Sequence, residues 1–135
     1  MAKDDTPSTR PLIDKLGVKP GDRVAVLGID DTEFWRVLRG RTGDIRTTLR
    51  TACNVVFYEA DSERDLARLP ALRKKIVENG AIWVVSRKGK AATIKDIHVI
   101  GAAKSAGLVD NKVVSFSPTH TSLRLVVPLA LRKAP

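Results

Sequence analysis

The 135-residue sequence contains little cysteine, histidine or aromatic residue. Its one cysteine, Cys53, excludes a disulfide within the chain and a metal site built from several cysteines. With only two histidines besides, a structural zinc centre is not expected. Aromatic residues make up 4% of the chain, so a core must be built from Val, Ile, Leu and Ala.

Long apolar segments are also missing. The longest apolar runs have the length of a strand, far below the ~20 residues that span a bilayer. The first ten residues are polar and carry no apolar stretch behind a basic start, so they do not resemble a secretory signal. We therefore expect a cytoplasmic protein.

What the chain does contain is the composition of a folded domain. Hydrophobic residues make up 43% of it and charged residues 29%, as in globular rather than disordered proteins. Residues 1–11 carry two prolines and no apolar periodicity, which predicts a flexible tail. Residues 12–135 have the length of a single domain of ordinary size.

The net charge of +9 is spread unevenly. Residues 1–78 are nearly balanced, whereas residues 79–135 hold nine Lys and Arg against two acidic residues. Such an excess can mark an anionic partner. The alternative is that the charge only keeps the protein in solution.

Five apolar segments have the length and composition of β-strands: residues 23–28, 54–58, 81–85, 112–116 and 122–127. The first three are continuous apolar runs, typical of parallel strands buried on both faces. The last two are joined by a short connection, which favours a hairpin. This order predicts a truncated Rossmann-like three-layer α/β sandwich whose sheet is mostly parallel and has an antiparallel C-terminal strand pair.

Helix signals stand between these strands. Either Asp31 or Thr32 can cap a helix after the first strand, and Thr93 with Asp96 predicts the cap of the helix before the hairpin. Residues 39–52 are polar, rich in arginine and interrupted by glycine, and we predict no convincing strand there.

The helix after the second predicted strand has the most explicit signals. Ser62 and Asp65 have the spacing of a capping box. Apolar residues then continue at helical spacing to Val77. Pro70 should interrupt this helix, and Gly80 should end it.

Three segments resemble class I S-adenosylmethionine-dependent methyltransferases. Residues 16–24 (LGVKPGDRV) look like the lead into that family's first strand, and residues 72–85 have its order of helix, glycine and apolar strand. Residues 106–109 and the closing strand pair are similar to its C-terminal end. As a whole, residues 12–132 resemble an uncharacterised family of short bacterial proteins with a truncated methyltransferase-like core, which has no established activity to carry over.

The chain departs from the methyltransferase pattern where the cofactor would bind. The resemblance implies a glycine-rich turn after the first strand, but residues 28–32 have one glycine, Gly28, and a bulky Ile29. It also implies an acidic residue that holds the ribose at the end of the second strand, and residues 39–52 offer none in that place. We therefore expect no cofactor and no binding of S-adenosylmethionine.

Ligands of open parallel sheets bind beyond the carboxyl ends of the strands. The polar or flexible candidates at those ends are Gly28, Asp30, Asp31, Glu59, Asp61, Ser86, Arg87 and Lys88. Carboxylates beside a basic pair suit a polar metabolite or an oxygen-preferring cation such as Mg²⁺. The alternative is that Asp31 and Asp61 cap helices and that Glu59 pairs with a neighbouring base, and we assign no metal ligand.

Two further clusters of basic residues are candidates for anion binding. Arg87, Lys88 and Lys90 form a loop before a helix, where a phosphate could bind, although the glycine spacing of a P-loop is missing. The second cluster contains Arg36, Arg39, Arg41, Arg46 and Arg50, with Phe34 and Trp35 alongside. Arginine interleaved with aromatic residues can bind single-stranded nucleic acid. The alternative for the first cluster is a solvated loop without a ligand. The alternative for the second is a helix whose aromatic residues lie in the core and whose arginines face the solvent.

The functional hypotheses follow from these candidates. His120 could act as a general acid or base, but the sequence fixes no partner beside it. We therefore favour a non-catalytic binding or regulatory module with a crevice for an anionic ligand. The first alternative is a small methyltransferase-like enzyme with an altered cofactor site. The second is a nucleic-acid-binding protein that uses its basic surface.

Overall fold

A computed structural model describes residues 10–133 of the chain. The flexible tail predicted over residues 1–11 therefore lies almost wholly outside the described residues. The helices are α1 (Leu12–Lys15), α2 (Thr32–Arg39), α3 (Glu63–Leu66), α4 (Leu69–Arg73) and α5 (Asp96–Ser105). The strands are β1 (Val24–Leu27), β2 (Ile45–Arg46), β3 (Cys53–Glu59), β4 (Ile76–Arg87), β5 (Val109–Ser115) and β6 (His120–Val126).

Over the described range, the six strands form one sheet in the order β2-β1-β3-β4-β6-β5. The strands β2, β1, β3 and β4 are parallel neighbours, and β6 runs antiparallel to both β4 and β5. The predicted fold class, a mostly parallel sheet with an antiparallel C-terminal pair, is therefore confirmed.

Different helices cover the two faces of the sheet. On β3, Val55 and Phe57 pack in the cluster with α1 and α2, whereas Val56 and Tyr58 pack in the cluster with α3, α4 and α5. Trp83 of β4 is fully buried, and its indole N–H donates to the Leu16 carbonyl oxygen at 3.0 Å. The continuous apolar runs of the parallel strands thus reflect burial on both sides.

The expectation that residues 39–52 contain no strand is wrong. Ile45 and Arg46 form a short parallel pair with Val24 and Ala25 of β1. The strand has two residues and lies at the edge of the sheet, so the apolar pattern that reveals a buried strand is missing.

The expectation that a helix continues through Val77 to Gly80 is also wrong. The helical region ends with α4, and β4 begins at Ile76. A Cβ atom on Gly80 would lie 3.0 Å from the Asn54 carbonyl oxygen and 3.1 Å from that of Cys53. Gly80 therefore allows β3 and β4 to approach closely at an irregularity in their pairing, rather than ending a helix.

Two of the three predicted caps are confirmed. Asp31 and Ser62 accept hydrogen bonds from the backbone N–H groups of Phe34 and Asp65. The Thr93 cap is wrong, because α5 begins at Asp96 and the Thr93 hydroxyl donates to the Asp61 carbonyl oxygen instead. Within residues 10–133, no helix is both long enough and apolar enough to cross a membrane.

Candidate functional site

The strand order reverses between β1 and β3, because the chain passes from β1 to β2 on one side and returns to β3 on the other. In open α/β sheets this reversal leaves a crevice at the carboxyl ends of the strands, where ligands bind. A cavity of about 170 Å³ lies there, here called the crevice. It is lined by Ile29, Asp30, Asp31, Glu59, Val85, Phe116, Thr119 and His120.

The turn from β1 into α2 forms one wall of the crevice. Gly28 has a φ of +81°, a left-handed conformation that glycine adopts without strain. Ile29 is buried, and its carbonyl oxygen accepts a 2.8 Å hydrogen bond from the Trp35 indole N–H. The Asp31 carboxylate accepts from the Phe34 N–H at 2.9 Å and so occupies the amino end of α2. An anionic ligand would have to compete with this carboxylate.

Glu59 and His120 face each other in the crevice. Glu59 Oε2 lies 3.6 Å from His120 Nε2, and His120 Nδ1 lies 2.8 Å from the Thr119 hydroxyl. The Nε2 atom is buried and has no hydrogen-bond partner among the described residues. Burial raises the pKa of Glu59, and the neighbouring Asp61 raises it further, while His120 opposes the shift. A carboxyl group with a raised pKa beside an imidazole is able to exchange a proton with a bound molecule.

The basic loop, residues 87–90, lies beside the crevice and does not line it. The Lys88 N–H donates to the Thr119 carbonyl oxygen at 3.0 Å, which connects the loop to the crevice wall. Asp61 accepts from the Arg87 N–H at 3.2 Å and also lies 4.0 Å from its guanidinium. The Lys88 ammonium donates to the Ser115 hydroxyl at 2.7 Å, while Lys90 is exposed.

The structure therefore separates the residues that the sequence grouped together. Asp30, Asp31 and Glu59 line the crevice, whereas Gly28 shapes its turn without lining it. Arg87, Lys88 and Lys90 form a neighbouring positive surface, which Asp61 partly neutralises.

The arginines of α2 and the following loop do not form one surface either. Arg36 pairs with Glu33 on the same helix, and Arg41 pairs with Asp14 of α1. Arg39 stands over the Trp35 ring, and Arg39 and Arg46 line a groove outside the crevice.

The other residues that could take part in chemistry, His98 and Cys53, are held in contacts with the backbone. His98 accepts a hydrogen bond from the Lys95 N–H at the start of α5. Cys53 is buried, burial raises the pKa of its thiol, and the thiol donates to the Arg50 carbonyl oxygen. Among residues 10–133, no group of three or more His, Cys, Asp or Glu side chains is arranged to hold a metal ion.

The partnership of His120 with Glu59 is what the sequence analysis missed. A signal for it exists. The predicted hairpin makes β6 antiparallel to β5, and β5 runs in the same direction as β4 because the helix α5 connects the two strands. The amino end of β6 must therefore lie at the carboxyl edge of the parallel strands. His120 pairs in register with Arg87 at that edge.

The strand order and the crevice define a methyltransferase-like α/β domain, and solved structures agree. A TehB-like methyltransferase from Corynebacterium glutamicum superposes with a TM-score of 0.63 at 10% identity, covering 87% of this chain and 85% of that one. Fibrillarin from Aeropyrum pernix, with bound S-adenosylmethionine, gives 0.57 at 14% identity, covering 81% and 68%. Magnesium protoporphyrin IX methyltransferase from Synechocystis gives 0.56 at 12% identity, covering 87% and 74%. Identities this low show the fold alone.

Residues 13–129 match the family described as "Protein of unknown function (DUF3052)", and the chain belongs to that family. No curated protein matches it in sequence. The resemblance to an uncharacterised family with a methyltransferase-like core is thereby confirmed.

Proposed function

We propose that this protein is a non-catalytic binding or regulatory module whose ligand site is the crevice and the basic loop beside it. The observation that carries the proposal is the convergence of Asp30, Asp31, Glu59 and His120 on one cavity at the reversal of strand order. Polar side chains that converge at this point of an α/β sheet are the usual basis of a ligand site.

The two parts of the site select different groups of a ligand. The crevice offers carboxylate oxygens from Asp30 and Glu59, which accept hydrogen bonds from hydroxyl or amino groups. The loop offers Arg87, Lys88 and Lys90, which attract phosphate or carboxylate. The matching ligand is a small polar molecule with hydroxyl or amino groups at one end and an anionic group at the other. The anion expected from the sequence thus belongs to the loop, since carboxylates line the crevice.

We propose further that no cofactor binds and that S-adenosylmethionine is not the ligand. Ile29 occupies the turn where the resemblance implies a thin, glycine-rich backbone. The strand β2 ends in Arg46 and is followed by Thr47, so the carboxylate implied for the ribose hydroxyls is replaced by a base and a hydroxyl.

The test is a thermal-shift screen with nucleotides, sugar phosphates, S-adenosylmethionine and metal ions, because a ligand of the folded state raises the melting temperature. The hits are then measured on the double variant Arg87→Ala with Lys88→Ala. The control is Lys74→Ala with Lys75→Ala, which removes the same charge beyond the end of α4.

The proposal predicts that the loop variant weakens binding of an anionic hit by tenfold or more. The control variant should change binding by less than about twofold, or ~0.4 kcal/mol. If both double variants have the same effect, the loop charge only improves solubility.

A second candidate function is a small enzyme with an altered cofactor site. The observation in its favour is the Glu59–His120 pair, in which burial raises the pKa of the carboxyl group. Under this alternative, Glu59→Gln abolishes turnover of a hit while its melting-temperature shift persists. A module without catalysis shows no turnover before or after the substitution.

A further inference from the structure

A second cavity lies apart from the crevice, between α2 and β2. This α2–β2 groove has a volume of about 470 Å³. Trp35 and Arg39 of α2 line it, with Arg46 of β2 and the hydroxyl-bearing Thr42 and Thr47. No acidic residue is among its lining residues, and it shares no residue with the crevice.

The ion pairs of this region single out two of its arginines. Arg36, Arg41 and Arg50 pair with Glu33, Asp14 and Asp44, respectively. Within residues 10–133, Arg39 and Arg46 have no carboxylate at ion-pair distance. Of these five arginines, the two that form no ion pair within the described residues are therefore the two that line the groove.

Asp44 is the acidic residue whose negative charge acts on Arg46. Its carboxylate lies 2.8 Å from Arg50 and 3.7 Å from Arg23, so two arginines already share it. The hydrogen bond from Arg50 is the main cause that lowers the pKa of Asp44, with weaker contributions from Arg23 and Arg46. One carboxylate among three arginines leaves the region around Arg46 positive.

The groove also holds a flat surface for stacking. The Trp35 indole is fixed by its hydrogen bond to the Ile29 carbonyl oxygen. The Arg39 guanidinium carbon lies 4.9 Å from the centre of the Trp35 ring. The guanidinium over the indole, here called the Arg39–Trp35 layer, offers planar groups on which a nucleobase can stack.

We propose that the α2–β2 groove binds a nucleobase that carries phosphate, either as a free nucleotide or as one residue of a single-stranded nucleic acid. The base stacks on the Arg39–Trp35 layer, while Arg46 and the Thr47 hydroxyl hold the phosphate. The buried Thr42 hydroxyl donates to the Asp22 carbonyl oxygen instead. Neither an apolar molecule nor a simple inorganic anion would use both features. This site is independent of the proposed function of the crevice.

The test is fluorescence anisotropy with a labelled oligo(dT) of about 16 nucleotides. The groove variant is Arg39→Gln with Arg46→Gln. The control is Arg36→Gln with Arg64→Gln, which removes the same charge from two other exposed arginines. We expect the groove variant to weaken binding at least tenfold and the control to weaken it less than threefold. Equal losses in both variants would show attraction by bulk charge and overturn the proposal.

Competition experiments identify the source of the ligand. If thymidine monophosphate displaces the oligonucleotide at equal nucleotide concentration, the groove takes a free nucleotide. If the nucleotide displaces it only weakly, the groove takes a strand. If inorganic phosphate displaces the oligonucleotide as well as the nucleotide does, base stacking does not contribute to binding and the proposal is overturned. The proposal is also overturned if the oligonucleotide does not bind.

Tryptophan fluorescence gives a readout that charge alone does not move. Trp83 is fully buried, so quenching of tryptophan emission by the ligand reports on Trp35. We expect quenching in the wild type and in the control variant. Binding without any change in this emission would contradict a base stacked at the Arg39–Trp35 layer.

Discussion

Glu59 Oε2 and His120 Nε2 lie 3.6 Å apart in the crevice, one at the end of a parallel strand and the other at the start of an antiparallel one. Side-chain exposures of 25% and 22% show that both groups are largely withdrawn from water. The pairing depends on the register of β4 with β6, which places His120 opposite Arg87. It combines a carboxyl group whose pKa burial raises with an imidazole nitrogen that has no hydrogen-bond partner in residues 10–133.

The raised pKa of Glu59 predicts how stability depends on pH. A carboxyl group whose folded-state pKa is raised favours folding when protonated, and this contribution is lost as pH rises through the folded pKa. Glu59→Gln mimics the protonated form. We expect it to match the wild type at about pH 4, near the ordinary glutamate pKa, and to be the more stable of the two at pH 7.

Urea unfolding at a series of pH values measures this difference. The control is Glu63→Gln, at an exposed position that begins α3. A Glu59→Gln effect that stays constant with pH, or that turns destabilising toward neutral pH, would show that burial does not dominate at Glu59.

Asp31 and its neighbour Asp30 allow a test of helix capping by measurement of the unfolding free energy. Asp31 accepts the Phe34 N–H, whereas Asp30 is exposed. We expect Asp31→Ala to cost about 1 kcal/mol of unfolding free energy and Asp31→Asn to cost clearly less, since asparagine caps nearly as well. Asp30→Ala should stay within about 0.5 kcal/mol, as surface changes do. Equal losses for Asp30→Ala and Asp31→Ala would contradict the capping role.

Two glycines should respond in opposite ways to alanine. At Gly80 the added Cβ would meet backbone carbonyl oxygens of Asn54 and Cys53 at 3.0 and 3.1 Å, which cannot move without disturbing the sheet. We expect Gly80→Ala to destabilise the protein by roughly 1–3 kcal/mol. Gly101 lies inside α5 with open space around a Cβ, so Gly101→Ala should stabilise by roughly 0.5–1 kcal/mol. Chemical denaturation of the two variants decides this, and a shared sign would refute it.

The sequence predicted those parts of the fold that depend on local patterns. Apolar runs revealed β1, β3 and the second half of β4, and capping residues placed the starts of α2 and α3. The strand β2 was missed because two residues carry no period. The first half of β4 was missed because the apolar spacing at Ile76 and Val77 fits a helix as well as a strand.

The candidate site was predictable only where a topological rule applied. The carboxyl-end rule selected Asp30, Asp31 and Glu59, which line the crevice. It also selected Arg87 and Asp61, which the structure places 4.0 Å apart, but it did not predict that Asp61 partly neutralises Arg87. Among the arginines of α2 and the following loop, the division into those with and without an ion pair within residues 10–133 depends on contacts such as Arg41 with Asp14, which sequence spacing does not reveal.

The last prediction is that S-adenosylmethionine does not bind at useful affinity. Ile29 is buried in the turn between β1 and α2 and packs in the core cluster with α2, so moving its side chain aside to admit a cofactor would disrupt that packing. At the end of β2, Arg46 and Thr47 line the α2–β2 groove and offer no carboxylate to the ribose hydroxyls. We expect isothermal titration calorimetry to give no saturable heat, corresponding to a Kd weaker than about 1 mM, or less than ~4.1 kcal/mol of binding free energy. A Kd in the micromolar range would contradict this expectation and would make the enzyme with an altered cofactor site the leading hypothesis.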